Sequence, residues 1–122
     1  IVCGAHLDGL ALNWQLRERG AQLLEKLTSA RSYRMYVIEG DPQRPGLTRD
    51  EDNGMASEIE IWQIPANEFG SFVAAIPAPL GIGKVETSDG RWLPGFICEG
   101  YAVAAAEDIS ELGGWRQYLS QL

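Results

Sequence analysis

The only histidine of this sequence lies in a turn that two glycines bracket. The segment GAHLDG, residues 4–9, follows an apolar start at residues 1–3 and contains His6. Such a turn can direct consecutive backbone N–H groups at an anion, and an imidazole titrates near neutral pH, so that it can donate or accept a proton. The residues leave two interpretations open: an anion-binding turn with an acid–base group, or an ordinary surface turn.

Charge and composition narrow the class of partner. Of the 122 residues, 45% are apolar and 22% are charged, and the formal net charge is −7. This charge argues against a nucleic acid or an anionic membrane surface as the main partner, because both need a basic patch. It does not exclude a small anionic ligand in a local pocket. No stretch has the length and apolarity of a membrane span or the pattern of a signal peptide, so we expect a cytoplasmic protein.

The sequence contains no recognisable metal or cofactor motif. One histidine and two distant cysteines give no metal-ligand spacing, and P-loop, GxSxG and GxGxxG patterns are absent. We therefore expect neither a metal nor a cofactor. Cys3 and Cys98 both lie in apolar, strand-like segments, where we expect reduced core thiols rather than a disulfide.

The order of apolar patterns predicts a single α+β domain over residues 1–122. Strands are predicted at residues 1–5, 33–38 and 57–64, and residues 21–28 fit a strand better than a helix because Gly20 interrupts the run. A hairpin with a Ser-Asp-Gly turn is predicted at 83–99, and a loop at 40–54. Helices are predicted at residues 10–19, 65–76 and 108–122, the last bent at Gly113 and Gly114. We expect a strongly bent mixed sheet or small barrel with helices packed outside.

Four segments carry a resemblance to a known family: GAHLDGLALNWQLRERGA, RPGLTR, IPAPLGIG and EDISELGGWRQYL. Together they resemble the C-terminal domain of allophanate hydrolase over nearly the whole chain. The resemblance implies a gamma-glutamylcyclotransferase-like fold, with a pocket at one end of a small bent-sheet barrel. It also implies a role in urea and allophanate degradation.

In that family an amidase domain with a Ser–Ser–Lys set releases ammonia, and the C-terminal domain promotes decarboxylation of the product, N-carboxycarbamate. No amidase signature occurs in this sequence, so we expect no amidase activity. The implied activity is that of a lyase acting on a small dicarboxylate-like substrate. The implied partner is a separate amidase, and a homodimer stays open.

The resemblance also implies site residues in the first loop. In folds of this type, the loop after the first strand binds an acidic ligand with backbone N–H groups. Gly4 would let the backbone approach the ligand, and the amides of Ala5, His6 and Leu7 would bind a carboxylate. The His6 side chain would deliver a proton to the leaving nitrogen.

Further ligand contacts are expected from the long loop and from its neighbours. The RPGL segment comprises Arg44, Pro45, Gly46 and Leu47. We expect this segment to close over the pocket mouth through a tight Pro-Gly turn, with Arg44 or Arg49 pairing with a carboxylate unless it is a plain surface charge. Asn13 would either contact ligand or cap a helix, and residues 76–83 would form a further wall.

Cyclotransferases carry a catalytic glutamate in the helix after the long strand. In this chain, ANEFGSFVAAIP has alanine or isoleucine at the expected position, and Glu68 comes too early. Glu60, on the polar face of SEIEIWQI, is the best replacement acid or base if that face lines the barrel, where the dielectric is low; otherwise it lies on a solvated strand face. Two alternatives stay open: a non-catalytic binding or dimerisation module, and a cyclotransferase-type enzyme.

Overall fold

A computed structural model describes residues 1–122 as three α-helices and six strands. In chain order the elements are α1 (Trp14–Glu18), β1 (Gln22–Thr28), β2 (Tyr33–Ile38), β3 (Arg44–Arg49), β4 (Glu58–Gln63), α2 (Ala66–Ala74), β5 (Leu80–Glu86), β6 (Trp92–Cys98) and α3 (Trp115–Leu119). Short 3₁₀ turns span Gly100–Ala102 and Ser110–Leu112. The predicted α+β class is confirmed, and none of the helices has the length and apolarity needed to cross a membrane.

The strands pair as three antiparallel two-stranded ladders, β1 with β4, β2 with β3 and β5 with β6. They do not close into a barrel. Isolated bridges connect them, such as the one between Ser29 and Thr87 that links β1 to the β5–β6 hairpin. The predicted hairpin is confirmed, and Gly90 takes the positive φ of 87° that its turn requires.

Strand β4 lies at the centre of the core. It pairs with β1 on one edge and with Val2 on the other, through reciprocal backbone hydrogen bonds of 3.0 Å between Val2 and Glu60. The C-terminal segment covers it as well, because the Glu58 N–H donates to the carbonyl of Gly113. All four residues 59–62 are consequently buried. A solvated face on this strand, the alternative considered for Glu60, does not exist.

The prediction of a loop over residues 40–54 is wrong for its central part. Residues 44–49 form β3, in which Pro45 lies opposite Val37 and Gly46 opposite Tyr36. RPGL is therefore a strand rather than a tight turn over a pocket mouth. The proline is tolerated because β3 pairs on one edge only. Glycine is needed because a Cβ at position 46 would lie 2.9 Å from the Sγ of Cys98.

The helices near the two chain ends are both shorter than predicted. Helix α1 has only five residues, because residues 4–13 form successive turns instead of a strand and a longer helix. The predicted break of the C-terminal helix is confirmed at Gly113, whose φ is 90°. Trp115 packs in the core with 2% exposure, whereas Leu122, in the same predicted helix, is 78% exposed.

Candidate functional site

The loop that contains His6 is held in place from both sides. The carbonyls of Gly4 and Ala5 accept hydrogen bonds from the N–H groups of Leu7 (2.9 Å) and Leu12 (2.8 Å). On the other side, the N–H of Asp8 donates to the Glu60 carboxylate at 2.8 Å. These contacts make a rigid turn out of a segment without regular secondary structure.

The side chain of Asn13 also holds this loop in position through hydrogen bonds. Its amide Nδ2 donates to the His6 carbonyl at 2.8 Å, and its Oδ1 accepts from the Arg17 guanidinium at 3.0 Å. Its side chain makes no cap hydrogen bond to α1. These contacts are neither the ligand contact nor the helix cap that was expected of Asn13. They fix the position of the His6 backbone.

Some backbone amides of this loop are free. The N–H groups of Gly4, Ala5 and His6 donate no hydrogen bond within the protein, whereas that of Leu7 donates to Gly4. The Leu7 side chain is fully buried in the core. The predicted anion-binding turn thus has unpaired donors at Ala5 and His6, but Leu7 has no amide to offer a ligand.

Two aromatic rings surround the His6 imidazole. Phe96 stacks on it with ring centroids 4.9 Å apart, and Phe72 meets it edge-on at 5.3 Å. This burial lowers the pKa of His6 below its ordinary 6.5; the Gln15 hydrogen bond acts in the opposite direction, and the Arg44 charge lowers the pKa further. The imidazole is therefore neutral at neutral pH in the free protein.

His6 lines a small recess that β3 and β6 complete. The recess residues are Cys3, Gly4, Ala5, His6, Arg44, Pro45, Leu80 and Phe96. Its volume is about 10 Å³, room for roughly one water-sized group. A second cleft of about 270 Å³ shares Arg44 and Leu80 with it and is lined by residues 38–42 and 77–79. Residues 77–80 of the segment 76–83 line this cleft; their role as a wall for a ligand stays a prediction.

Arg44 is the cation of this recess, and it has no partner. Five other arginines form ion pairs with carboxylates: Arg17, Arg34, Arg49, Arg91 and Arg116. Arg44 forms none, and burial alone lowers the pKa of its guanidinium. Arg49, the alternative candidate, is occupied by Glu51 and Glu86. A half-buried guanidinium without a counterion is the clearest sign of an anion site in this chain.

Glycine at position 4 makes room for β3 rather than for a ligand. A Cβ at this position would overlap the ring of Pro45, so that only glycine lets Pro45 and Arg44 reach the recess. Of the remaining RPGL residues, Gly46 packs against Cys98, and Leu47 is a core side chain with 1% exposure. The structure therefore brings Gly4, Arg44 and Pro45 to His6 but does not bring Gly46 or Leu47.

The Glu60 carboxylate does not line the recess and is already engaged. Its Oε1 accepts from the Asp8 N–H at 2.8 Å and from the Trp62 indole N–H at 2.9 Å, and its Oε2 accepts from Arg116 at 3.1 Å. The side chain is 1% exposed. These contacts tie the His6 loop to β4 and α3, so they favour a structural role for Glu60 over an acid–base role.

Sequence reasoning missed several neighbours of His6. Gln15 lies in α1, and its Oε1 is 2.7 Å from the His6 Nε2. Phe72 lies in α2, and nothing local in the sequence indicated that its ring would face the imidazole. The position of Gln15 in LNWQL, one of the segments that carry the resemblance, was the available signal.

The largest cavity shares only Phe96 with the recess. It is an apolar groove of about 450 Å³ to which Phe72 and Phe96 also contribute, and its only polar side chain is that of Gln63. None of the side chains in its lining is titratable. No group of three or more His, Cys, Asp or Glu side chains is placed to hold a metal ion.

The fold and the recess together define a small α+β domain that combines a buried imidazole, an unpaired guanidinium and free backbone amides. The family model described as "Allophanate hydrolase C-terminal domain" matches residues 1–120. The chain belongs to this family, as its resemblance predicted.

The chain spans only a small part of the length of the first relatives that it matches. It is 40% identical to urea amidolyase of Saccharomyces cerevisiae, a match that covers 99% of this chain and 7% of that protein. The selenomethionine-substituted allophanate hydrolase of Kluyveromyces lactis superposes with a TM-score of 0.94 at 38% identity, covering 98% of this chain and 20% of that one.

A short relative has the same fold. The structure of c4763, a uropathogenic Escherichia coli-specific protein, superposes with a TM-score of 0.90 at 30% identity and covers 99% of this chain and 94% of that one. One domain of this kind therefore accounts for nearly all of that chain.

Proposed function

We propose that this domain acts in urea and allophanate degradation, where it binds a small dianionic carbamate at the His6 recess and promotes its decarboxylation. The observation that carries the proposal is Arg44, a half-buried guanidinium without an ion pair beside His6. The unpaired N–H groups of Ala5 and His6 add donors for a second carboxylate oxygen. A guanidinium and backbone N–H groups are the hydrogen-bond donors that a carboxylate prefers.

The size of the cavity suggests how such a ligand binds. The recess itself holds about one water-sized group, and Arg44 and Leu80 connect it to the cleft of about 270 Å³. A small dicarboxylate would place one carboxylate at the amides and the other at Arg44. N-carboxycarbamate is a small dicarboxylate of this kind.

The chemical step needs one proton and no cofactor. In ⁻OOC–NH–COO⁻ the bond from nitrogen to one carboxylate carbon breaks, and CO₂ leaves. The electron pair of that bond stays on nitrogen, which accepts a proton from the His6 imidazolium and gives carbamate, H₂N–COO⁻. An imidazole is suited to this transfer because its pKa is near the working pH.

Ligand charge supplies the required protonation state. In the free protein, burial and Arg44 lower the pKa of His6, so that the ring is neutral. A bound dianion beside the ring favours the charged form, and the ring takes up a proton from solvent as the ligand binds. The proton donor is thus formed only when a substrate is present.

Calorimetry with malonate tests the proposal, because malonate keeps both carboxylates and replaces the labile nitrogen by carbon. We expect the parent protein to bind malonate, and His6→Ala to bind it more weakly and without proton uptake. A kinetic arm supplies allophanate and a separate amidase, and measures CO₂ release with and without the domain. Absence of malonate binding by the parent would refute the proposal and favour the non-catalytic module.

A further inference from the structure

Gln15 is the one polar side chain that contacts the His6 imidazole. Its Oε1 lies 2.7 Å from the His6 Nε2. In this orientation of the Gln15 amide, its oxygen can only accept a hydrogen bond, which assigns the proton to Nε2. The other ring nitrogen, Nδ1, has no hydrogen-bond partner within the protein.

We propose that Gln15 is a positioning residue that keeps a proton on His6 Nε2 in both charge states, which makes Nδ1 the atom that exchanges its proton with the ligand. The ligand step rests on the proposed function, whereas the tautomer does not. In the decarboxylation, the Nδ1–H bond breaks as the nitrogen–hydrogen bond of carbamate forms. The Nε2–H bond and its hydrogen bond to Gln15 are unchanged throughout.

The same short segment holds both the ring and the backbone of His6. Asn13 Nδ2 donates to the His6 carbonyl at 2.8 Å, and Gln15 accepts from the ring two residues later. The rings of Phe72 and Phe96 restrict the remaining rotation. A residue whose backbone carbonyl and ring Nε2 are both hydrogen-bonded, and whose ring is packed against two phenylalanines, has one orientation, which is the requirement for directed proton transfer.

A neutral acceptor suits this site better than a carboxylate would. A carboxylate at position 15 would stabilise the imidazolium whether or not a ligand is bound. The charged and titratable groups of the recess wall are Arg44, which disfavours the imidazolium, and Cys3, whose thiol stays neutral because burial raises its pKa to about 12. With Gln15 neutral, the charge of His6 depends on the ligand.

The single histidine makes this inference measurable without any activity assay. In protein labelled with ¹⁵N in the imidazole, every ring signal belongs to His6. We compare the parent with Gln15→Glu and Gln15→Met. Gln22→Met is the matched control, because Gln22 is exposed on β1 and makes no side-chain hydrogen bond.

The parent is expected to show the neutral ring protonated at Nε2 at pH 7, with a slowly exchanging Nε2 proton. Gln15→Glu should raise the titration midpoint of His6 by about one pH unit or more. Gln15→Met should accelerate exchange of the Nε2 proton at least about tenfold, since that proton loses its acceptor. The control should match the parent in both measurements.

Each other outcome has one meaning. A parent ring protonated at Nδ1, an unchanged midpoint in Gln15→Glu, or unchanged exchange in Gln15→Met would overturn the role of Gln15. A malonate titration of the same samples separates the two proposals. If malonate leaves the Nδ1 signal of the parent unmoved, the proposed function fails while the assignment of the tautomer stands.

Discussion

Replacing Arg44 by methionine separates ligand binding from folding. Arg44 has no ion pair, and burial alone shifts its guanidinium pKa, so the substitution breaks no charge contact within the protein. Methionine keeps the apolar stem that lines the recess. We expect the variant to fold as the parent does and to lose affinity for malonate.

The magnitudes follow from the contacts that are lost. Hydrogen bonds to a charged group contribute about 1.5–3 kcal/mol, which corresponds to a roughly 10- to 150-fold weaker Kd for malonate. The free energy of unfolding should change by no more than about 0.5 kcal/mol, as for surface substitutions away from special features. A large loss of binding with a small change in stability is the expected signature.

The assay is calorimetric titration with malonate, together with urea denaturation of each protein. Arg31→Met is the control, because Arg31 is exposed, has no ion pair and carries the same charge. It should bind malonate as the parent does. If Arg44→Met bound malonate as tightly as the parent, the reasoning from the unpaired guanidinium would be wrong.

Three further predictions concern stability. Glu60→Gln should lower the free energy of unfolding, measured by urea denaturation, by about 3 kcal/mol, because the buried carboxylate that pairs with Arg116 is lost; an unchanged midpoint would contradict its structural role. Gly4→Ala should cost about 1–3 kcal/mol through overlap with Pro45, whereas parent-like stability would show that the strand can shift freely. Finally, His6 has a folded pKa below its unfolded value of 6.5, so stability should fall as pH drops from 6.5 through the folded pKa, and His6→Asn should lack this part of the pH dependence.

Elements with a strong local signal were predictable. The alternating run around β4, the Asp-Gly turn of the β5–β6 hairpin and the helix after Pro65 are all found near their predicted positions. The turn and the helix depend on contacts between residues close in sequence, such as those that Gly90 permits in its turn. Strand β4 was found from its own alternation of apolar and polar residues, although its partners β1 and Val2 are distant in sequence. Strand β3 was missed because Pro45 and Gly46 are turn residues by composition, and only pairing with β2 makes them a strand.

The candidate site also has one part that the sequence determined and one part that only the tertiary structure decided. The sequence determined that the sole histidine lies in a glycine-bracketed turn, and the segments of the resemblance placed it in the family to which the chain belongs. Tertiary structure alone decided which charged groups stay free. The Glu60 carboxylate accepts hydrogen bonds from Asp8, Trp62 and Arg116, whereas Arg44 lies at the recess without an ion pair. The physical reason is that an ion pair or a buried contact depends on residues far apart in sequence, and no local pattern encodes their distance.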